Sequence, residues 1–243
     1  MAVTRKTKPE PTERTAGTTG RAAGEVAEPA DASRAGRSAS ARRDDVVRLA
    51  GQLFARKGYR ATTVREIADA AGILSGSLYH HFDSKESIGD EILAGFLDEI
   101  LADYRAAVAT GGDPRSVIEQ IVRSTSKTLT KNRAALAMLQ NDWSYFRSQP
   151  RFGYLPKSLR EIERTWIGQL ERGVADGTFR SDLDPALTYR LLRDVLWIPA
   201  VWSQSAGYTT DRIVDAFLRL LFDGITAPGS GPNPPPSGQD SWA

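Results

Sequence analysis

The segment at 62–82, TTVREIADAAGILSGSLYHHF, constrains the fold more than any other part of the chain, because it places helix-forming residues on both sides of a single glycine. Thr63 and Glu66 are spaced as a capping box. In that arrangement the threonine hydroxyl accepts from the Glu66 backbone N–H, and the carboxylate reaches back to the N–H of Thr63. Val64, Ile67, Ala68 and Ala71 then share one helical face. Gly72 follows the last of them, where a residue in the left-handed region ends a helix without a Cβ penalty. Ile73 is placed to plug the turn into a core, Ser75 reads as the N-cap of a second helix, and Leu78 and Phe82 point inward. Ser75, Gly76, Ser77, Tyr79 and His80 remain on the outer face, which is small at its N-terminal end, as close approach to a DNA groove requires. The pattern is that of a DNA-binding helix-turn-helix.

The ordered pieces carry a family resemblance. T-x-x-x-I-A-x-x-A-G runs over 63–72, L-Y-x-H-F over 78–82 and S-K-E over 84–86. Residues 44 to 90 thereby resemble the N-terminal domain of TetR-type transcriptional repressors. The resemblance implies that Thr63, Tyr79, His80 and Lys85 contact DNA phosphates, while Ser75, Gly76 and Ser77 meet base edges. Leu74 and Ser75 stand where the family often has Ser then Lys, so the operator cannot be borrowed from a relative.

Elsewhere the apolar periodicity is helical, and no strand is expected. Helices are predicted at 44–57, stopped by Gly58, and at 85–110, stopped by Gly111 and Gly112. Others follow at 114–131, 133–147, 157–176, 185–202 and 210–222, which with the two of the motif makes nine. The expected fold is all-α: a three-helix helix-turn-helix domain at 44–90, then a helical effector-binding and dimerisation domain at 91–226. Residues 1–43 hold nine basic and five acidic groups and too few apolar ones for a core. They read as an unstructured arm whose Arg42 and Arg43 could track phosphates, and 227–243 reads as a Pro/Gly/Ser-rich tail. Leu187, Leu191, Val195, Ile198 and Trp202 form one apolar stripe. In the resembled family the last two helices of two subunits make a four-helix dimer interface, which implies a homodimer with recognition helices about 34 Å apart on a palindromic double-stranded DNA operator.

Composition narrows the classes. The net charge of +2, with six basic and seven acidic groups in 44–90, leaves any DNA-facing potential to placement. Cysteine is absent, which excludes disulfides, thiolate nucleophiles and cysteine-ligated metals. No apolar run approaches the ~20 residues of a membrane span and no secretion-signal core is present, so a cytoplasmic protein is expected. The two histidines, His80 and His81, are adjacent and diverge on a helix. No metal site, cofactor or enzyme activity is expected.

The middle of the chain interleaves Trp143, Tyr145, Phe146, Phe152, Tyr154 and Trp166 with Arg147, Arg151, Arg160 and Arg164. Aromatic residues at this spacing are ordinarily core and arginines ordinarily surface. Arg193 and Trp197, however, lie four apart on a helix expected to be largely buried, and a buried arginine requires an anion. SQPRF at 148–152, FRSDL at 179–183 and Arg193-Asp194 with Trp197 are similar to the TetR-type repressors of steroid catabolism in high-GC bacteria. That similarity implies an acyl-CoA effector, derived from a steroid ring in that branch, held by Arg193, Trp197, Trp166 and Trp143. Val201 stands where a further arginine is expected, and Pro199 alters the helix before it. The alternative is a repressor of the same fold sensing a non-CoA hydrophobic or aromatic molecule.

Overall fold

The computed structural model describes residues 29–196 and 207–223, and every regular element among them is helical. The first helix, α1 (Pro29–Lys57), starts well before the expected position 44. Pro29 stands where proline's missing N–H costs nothing, and the alanines and arginines that follow are strong helix formers. A shortage of apolar residues argues against a core, not against a helix. Gly58, at φ 87°, ends α1 as expected.

The short α2 (Val64–Ala70) opens on the expected capping box: Glu66 N–H donates to Thr63 Oγ1 at 3.3 Å, and Thr63 N–H donates to Glu66 Oε2 at 2.8 Å. Gly72 takes φ 65° and redirects the chain into α3 (Ser75–Leu78). Here Leu74, not Ser75, is the N-cap residue, and no side chain caps the helix. Ser75 begins the helix because the Leu74 carbonyl already accepts from Ser77 and Leu78 N–H. Val46, Ala50, Leu53 and Phe54 of α1 bury against Ile67, Ala68, Leu78 and Phe82 in one core. Each large side chain in it contributes about 1.5–3 kcal/mol by burial.

Ser84 caps the long α4 (Lys85–Thr110) by accepting from Ser87 N–H at 3.2 Å, and Gly111 ends it at φ 72°. At 26 residues α4 spans about 39 Å, leaving the headpiece and crossing the second domain. It packs there against α5 (Pro114–Lys131), α6 (Arg133–Asn141) and α8 (Leu155–Ala175). The single helix expected at 133–147 is instead divided at Asp142 into α6 and α7 (Trp143–Ser148). At this break, with φ −120° and ψ 17°, Asp142 Oδ2 accepts from the Tyr59 backbone N–H at 3.1 Å. A short 3-10 turn (Pro150–Phe152) follows. The remaining described helices are α9 (Pro185–Leu196) and α10 (Thr210–Asp223), making ten among the described residues where nine were expected over the chain.

Both last helices are two-faced. Tyr189, Leu192 and Leu196 of α9 are buried, whereas Leu187, Leu191 and Val195 are exposed at 55, 61 and 38 %. On α10, Val214 and Leu218 are buried and Leu220 is exposed. Ile198, Pro199, Val201 and Trp202 lie outside the described residues.

Candidate DNA-binding surface and effector cleft

The outward set around α3 is open. Gly76, Tyr79 and His80 are exposed, Ser75 and Ser77 half-buried, and Leu74 is exposed at 80 %. Thr63 is exposed as well, but its hydroxyl already donates to Glu66 Oε2 at 3.0 Å, so a phosphate would have to share it. Lys85 behaves differently from the expectation of a side chain reaching outward to DNA. Its ammonium donates to the carbonyls of Tyr59 at 3.0 Å and Thr62 at 2.9 Å and lies 4.6 Å from the Tyr59 ring centre. Partial burial lowers its pKa. The loop after Gly58 turns the carbonyls of Tyr59, Arg60 and Thr62 toward its ammonium, which has three hydrogens to donate. Arg43 is likewise engaged, stacking 4.1 Å over Phe82 and donating to the His81 carbonyl and to Glu91. Arg42 is exposed.

Behind this surface, Tyr59 locks the headpiece to the second domain. Its ring sits 4.9 Å from Phe54, 5.6 Å from Tyr145 and 4.8 Å from Phe146, measured between centres. Its buried hydroxyl has no hydrogen-bond partner among the described residues, and burial drives its pKa upward. Tyr145 Oη donates to Glu86 Oε1 at 3.1 Å, so α7 holds the first turn of α4. Nothing local to residue 59 signals this anchor.

The second domain carries a cleft of about 550 Å³ between α6, α8 and α9. Trp143, Gln140, Arg160, Glu163, Arg193 and Asp194 are among the residues that line it. Leu139, Leu159, Tyr189 and Arg193 also border an inner cavity of about 70 Å³, so the two share a wall. The inner walls are almost wholly apolar, from Phe96, Leu97 and Ile100 of α4 to Ile162 of α8 and Leu196 of α9. Trp166, 2 % exposed, lines this inner space, and half-buried Trp143 the outer one. Arg193 is not buried as expected: its side chain is 48 % exposed, and its Nε donates to Asp194 Oδ1 at 2.8 Å. One residue's rotation around α9 separates an inward from a rim position, and Leu192 takes the inward one. Trp197 lies outside the described residues.

Two features add to the residues singled out above. Lys157, Arg160 and Arg164 fall on one stripe of α8, all exposed and without an ion-pair partner among the described residues. Deep in the cavity, Trp166 Nε1 donates to Tyr104 Oη at 2.9 Å, and that oxygen lies 2.7 Å from Thr125 Oγ1. Burial pushes the Tyr104 phenol up to about 12, so it keeps its proton. The i, i+3, i+7 spacing of the basic stripe was legible, whereas the triad joins three helices and was not. Among the described residues no group of acidic or histidine side chains could hold a metal, and no helix is long and apolar enough to cross a membrane.

Comparison with known proteins agrees with this architecture. Residues 46–92 match the family model for bacterial regulatory proteins of the tetR family, and 111–225 match the tetracyclin repressor-like C-terminal domain. The chain is 46 % identical over 190 residues to the HTH-type transcriptional repressor KstR2 of Rhodococcus jostii (strain RHA1), covering 78 % of this chain and 93 % of that protein. The solved structure of the ketosteroid transcriptional regulator KstR2 of Mycobacterium tuberculosis superposes with a TM-score of 0.72 at 39 % identity, covering 76 % of this chain and 95 % of that one. AibR in complex with isovaleryl coenzyme A and operator DNA shares the fold, with a TM-score of 0.66 at 17 % identity, covering 74 % of this chain and 98 % of that one. With both domains matched in order and the capping box, glycine turn and exposed α3 face in place, the chain belongs to the TetR family and is a TetR-type transcriptional repressor.

Proposed function

We propose that this repressor acts as a homodimer on a palindromic operator and is released by an acyl-CoA. The observation that carries the reading is an apolar inner cavity beside a cleft that Arg160 and Arg193 line, with the exposed Lys157 and Arg164 on the same stripe of α8 as Arg160. A CoA thioester needs both, a dry pocket for its acyl group and guanidinium or ammonium groups for its phosphates. Arg160, Lys157 and Arg164 suit the nucleotide end, and Arg193, after parting from Asp194, suits the thioester or a neighbouring anionic group. Trp143, Trp166 and Trp197 would then flank the acyl portion. The relationship to KstR2 proteins favours an acyl group derived from a steroid ring. Ser75, Gly76 and Ser77 would face base edges, and Thr63, Tyr79 and His80 phosphates, with Lys85 acting through the loop it braces. The exposed Leu187, Leu191 and Val195 would pack on a second copy.

The cavity also supplies the mechanism. At about 70 Å³ its inner part is far below the ~300 Å³ at which ligand pockets begin, so an acyl group has to part its walls. Phe96, Leu97 and Ile100 put α4 among those walls, and α4 begins at the headpiece. A ligand that fits only the parted state shifts the population toward it, and a difference of a few kcal/mol between the two states suffices for release. The test is an anisotropy titration of the protein on the DNA beside its own gene, repeated with acyl-CoAs, their free acids and aromatic cations. Release by a CoA thioester and not by its free acid is expected. Release by a cation alone would replace this reading with the second one, which Glu163 and Asp194 on the same rim would serve. Operator affinity unchanged by every compound would overturn the mechanism.

A further inference from the structure

We infer that Leu74 reads sequence in the operator by packing its methyl groups on the C5 methyl of one thymine in each half-site. The inference rests on the placement of α3 against base edges proposed above, and it starts from a side chain that nothing in the fold employs. At 80 % Leu74 is the most exposed large apolar side chain among the described residues, and it stands between the two helices of the motif. Its neighbour Ile73 packs on the core, so the turn already has its apolar plug. Leu74 is also the N-cap residue of α3, a position where Ser, Asp or Asn would bond the open N–H groups and where the leucine side chain bonds none. A chain that needed only a turn and a cap here would be better served by a polar residue.

The backbone presents this side chain from a fixed position. Ile73 N–H donates to the Ala68 carbonyl at 3.0 Å, and the Leu74 carbonyl accepts from Ser77 N–H at 2.9 Å and Leu78 N–H at 3.2 Å. Pre-organisation of that kind lowers the cost of ordering an interface. The residues that follow, Ser75, Gly76 and Ser77, are small, so no bulk beside Leu74 holds a base edge away. Leucine has neither a donor nor an acceptor. Set against the amino group of cytosine or adenine, or against O6 and N7 of guanine, it would strip water from a polar edge and return no hydrogen bond. The apolar group that a base offers in the major groove is the thymine C5 methyl, and a leucine side chain gains by covering it. Leu74 thus adds an apolar reader beside the hydroxyls of Ser75 and Ser77.

The test selects a duplex from random-sequence DNA with the full chain, then replaces its thymines one position at a time by uracil, which pairs identically and lacks only the methyl. Uracil at one thymine of a half-site should weaken binding about fourfold, and about fifteenfold when both half-sites carry it. Leu74→Ser supplies a hydroxyl cap, so it should melt no lower than the wild type, yet it should bind the thymine and uracil duplexes alike. Its affinity should fall with salt along the wild-type slope, because the phosphate contacts are untouched. Gly76→Asp separates the two readings. An added Cβ there meets nothing within 4 Å, so the fold accommodates it, while the carboxylate would face DNA and should abolish specific binding. Specific binding retained by Gly76→Asp, or no duplex selected at all, would overturn both the placement of α3 and the role of Leu74. Binding lost in Gly76→Asp would leave α3 in place, and the role of Leu74 alone would then be overturned by half-sites without a thymine, by uracil duplexes that all bind as tightly as their parent, or by a uracil penalty that persists in Leu74→Ser.

Discussion

Two glycines on α8 should respond to alanine with opposite signs. Gly168 is exposed, and a Cβ added there meets nothing within 4 Å. Alanine gains about 0.8–1 kcal/mol over glycine inside a helix, so Gly168→Ala should stabilise by nearly that amount. Gly173 sits five residues later, where a Cβ would lie 2.1 Å from Phe179 Cδ2 and 2.4 Å from its Cε2. Favourable carbon contacts begin near 3.5 Å, so the ring would have to retreat by roughly 1.4 Å. It has little freedom to do so. The Phe179 backbone N–H donates to the Gly173 carbonyl at 2.8 Å, and the ring stacks on Phe222 of α10 at 6.4 Å with an interplanar angle of 12°. Forcing a methyl into such packing costs about 1–3 kcal/mol, and losing the stacked pair adds up to about 1.5. Set against a helix-propensity gain reduced near the helix end, Gly173→Ala should lose about 1–2 kcal/mol. For a chain of this size that is a fall in Tm of roughly 3–6 °C, while Gly168→Ala should rise by roughly 2–4 °C. Melting followed by circular dichroism at one fixed protein concentration reads both, since the Tm of a dimer depends on concentration. A Gly173→Ala protein that melts at or above the wild type would refute the reasoning.

Other predictions rest on separate parts of the fold. Gly72→Ala should cost about 1–2 kcal/mol purely through its φ of 65°, because no atom lies within 4 Å of the added methyl, and Gly72→Asn should cost less in the same urea titration. Hydrogen bonds from Lys57, then Thr63, lower the Glu66 pKa from 4.5 to about 2. Its cap should therefore contribute fully above pH ~4.5 and be lost as pH falls toward ~2, and unfolding measured across that window should lose part of its pH dependence in Glu66→Gln. Asp142→Ala orphans the Tyr59 N–H and should cost about 1–2 kcal/mol by urea unfolding, with Asp142→Asn retaining most of it; equal stability of all three proteins would remove Asp142 as the tie. Leu191→Asp places a charge in the exposed α9 stripe and should give monomers in sedimentation and abolish tight operator binding; an intact dimer would move the interface elsewhere.

What could be read from residue order was chemistry confined to a few neighbours. Thr63 and Glu66 cap α2 from three residues apart, and Gly58, Gly72 and Gly111 each adopt positive φ where a helix stops. Leu187, Leu191 and Val195 of α9 share one face, as their spacing predicted, and that face is the exposed one. Where the reading failed, the deciding partner lay far along the chain. The helix expected to run through 142 is divided where Asp142 accepts from Tyr59, 83 residues earlier. Lys85 turns inward because carbonyls 23 to 26 residues before it converge on its ammonium. Arg193 was assigned to the interior from a pattern that leaves the rotation of α9 uncertain by one position, and that position separates a buried charge from one paired at a rim. The Tyr104, Thr125 and Trp166 triad joins α4, α5 and α8, so it exists only once those helices have packed. Helix caps and glycine turns thus assign the chain to a class of DNA-binding proteins, whereas its effector chemistry depends on contacts that local sequence does not encode.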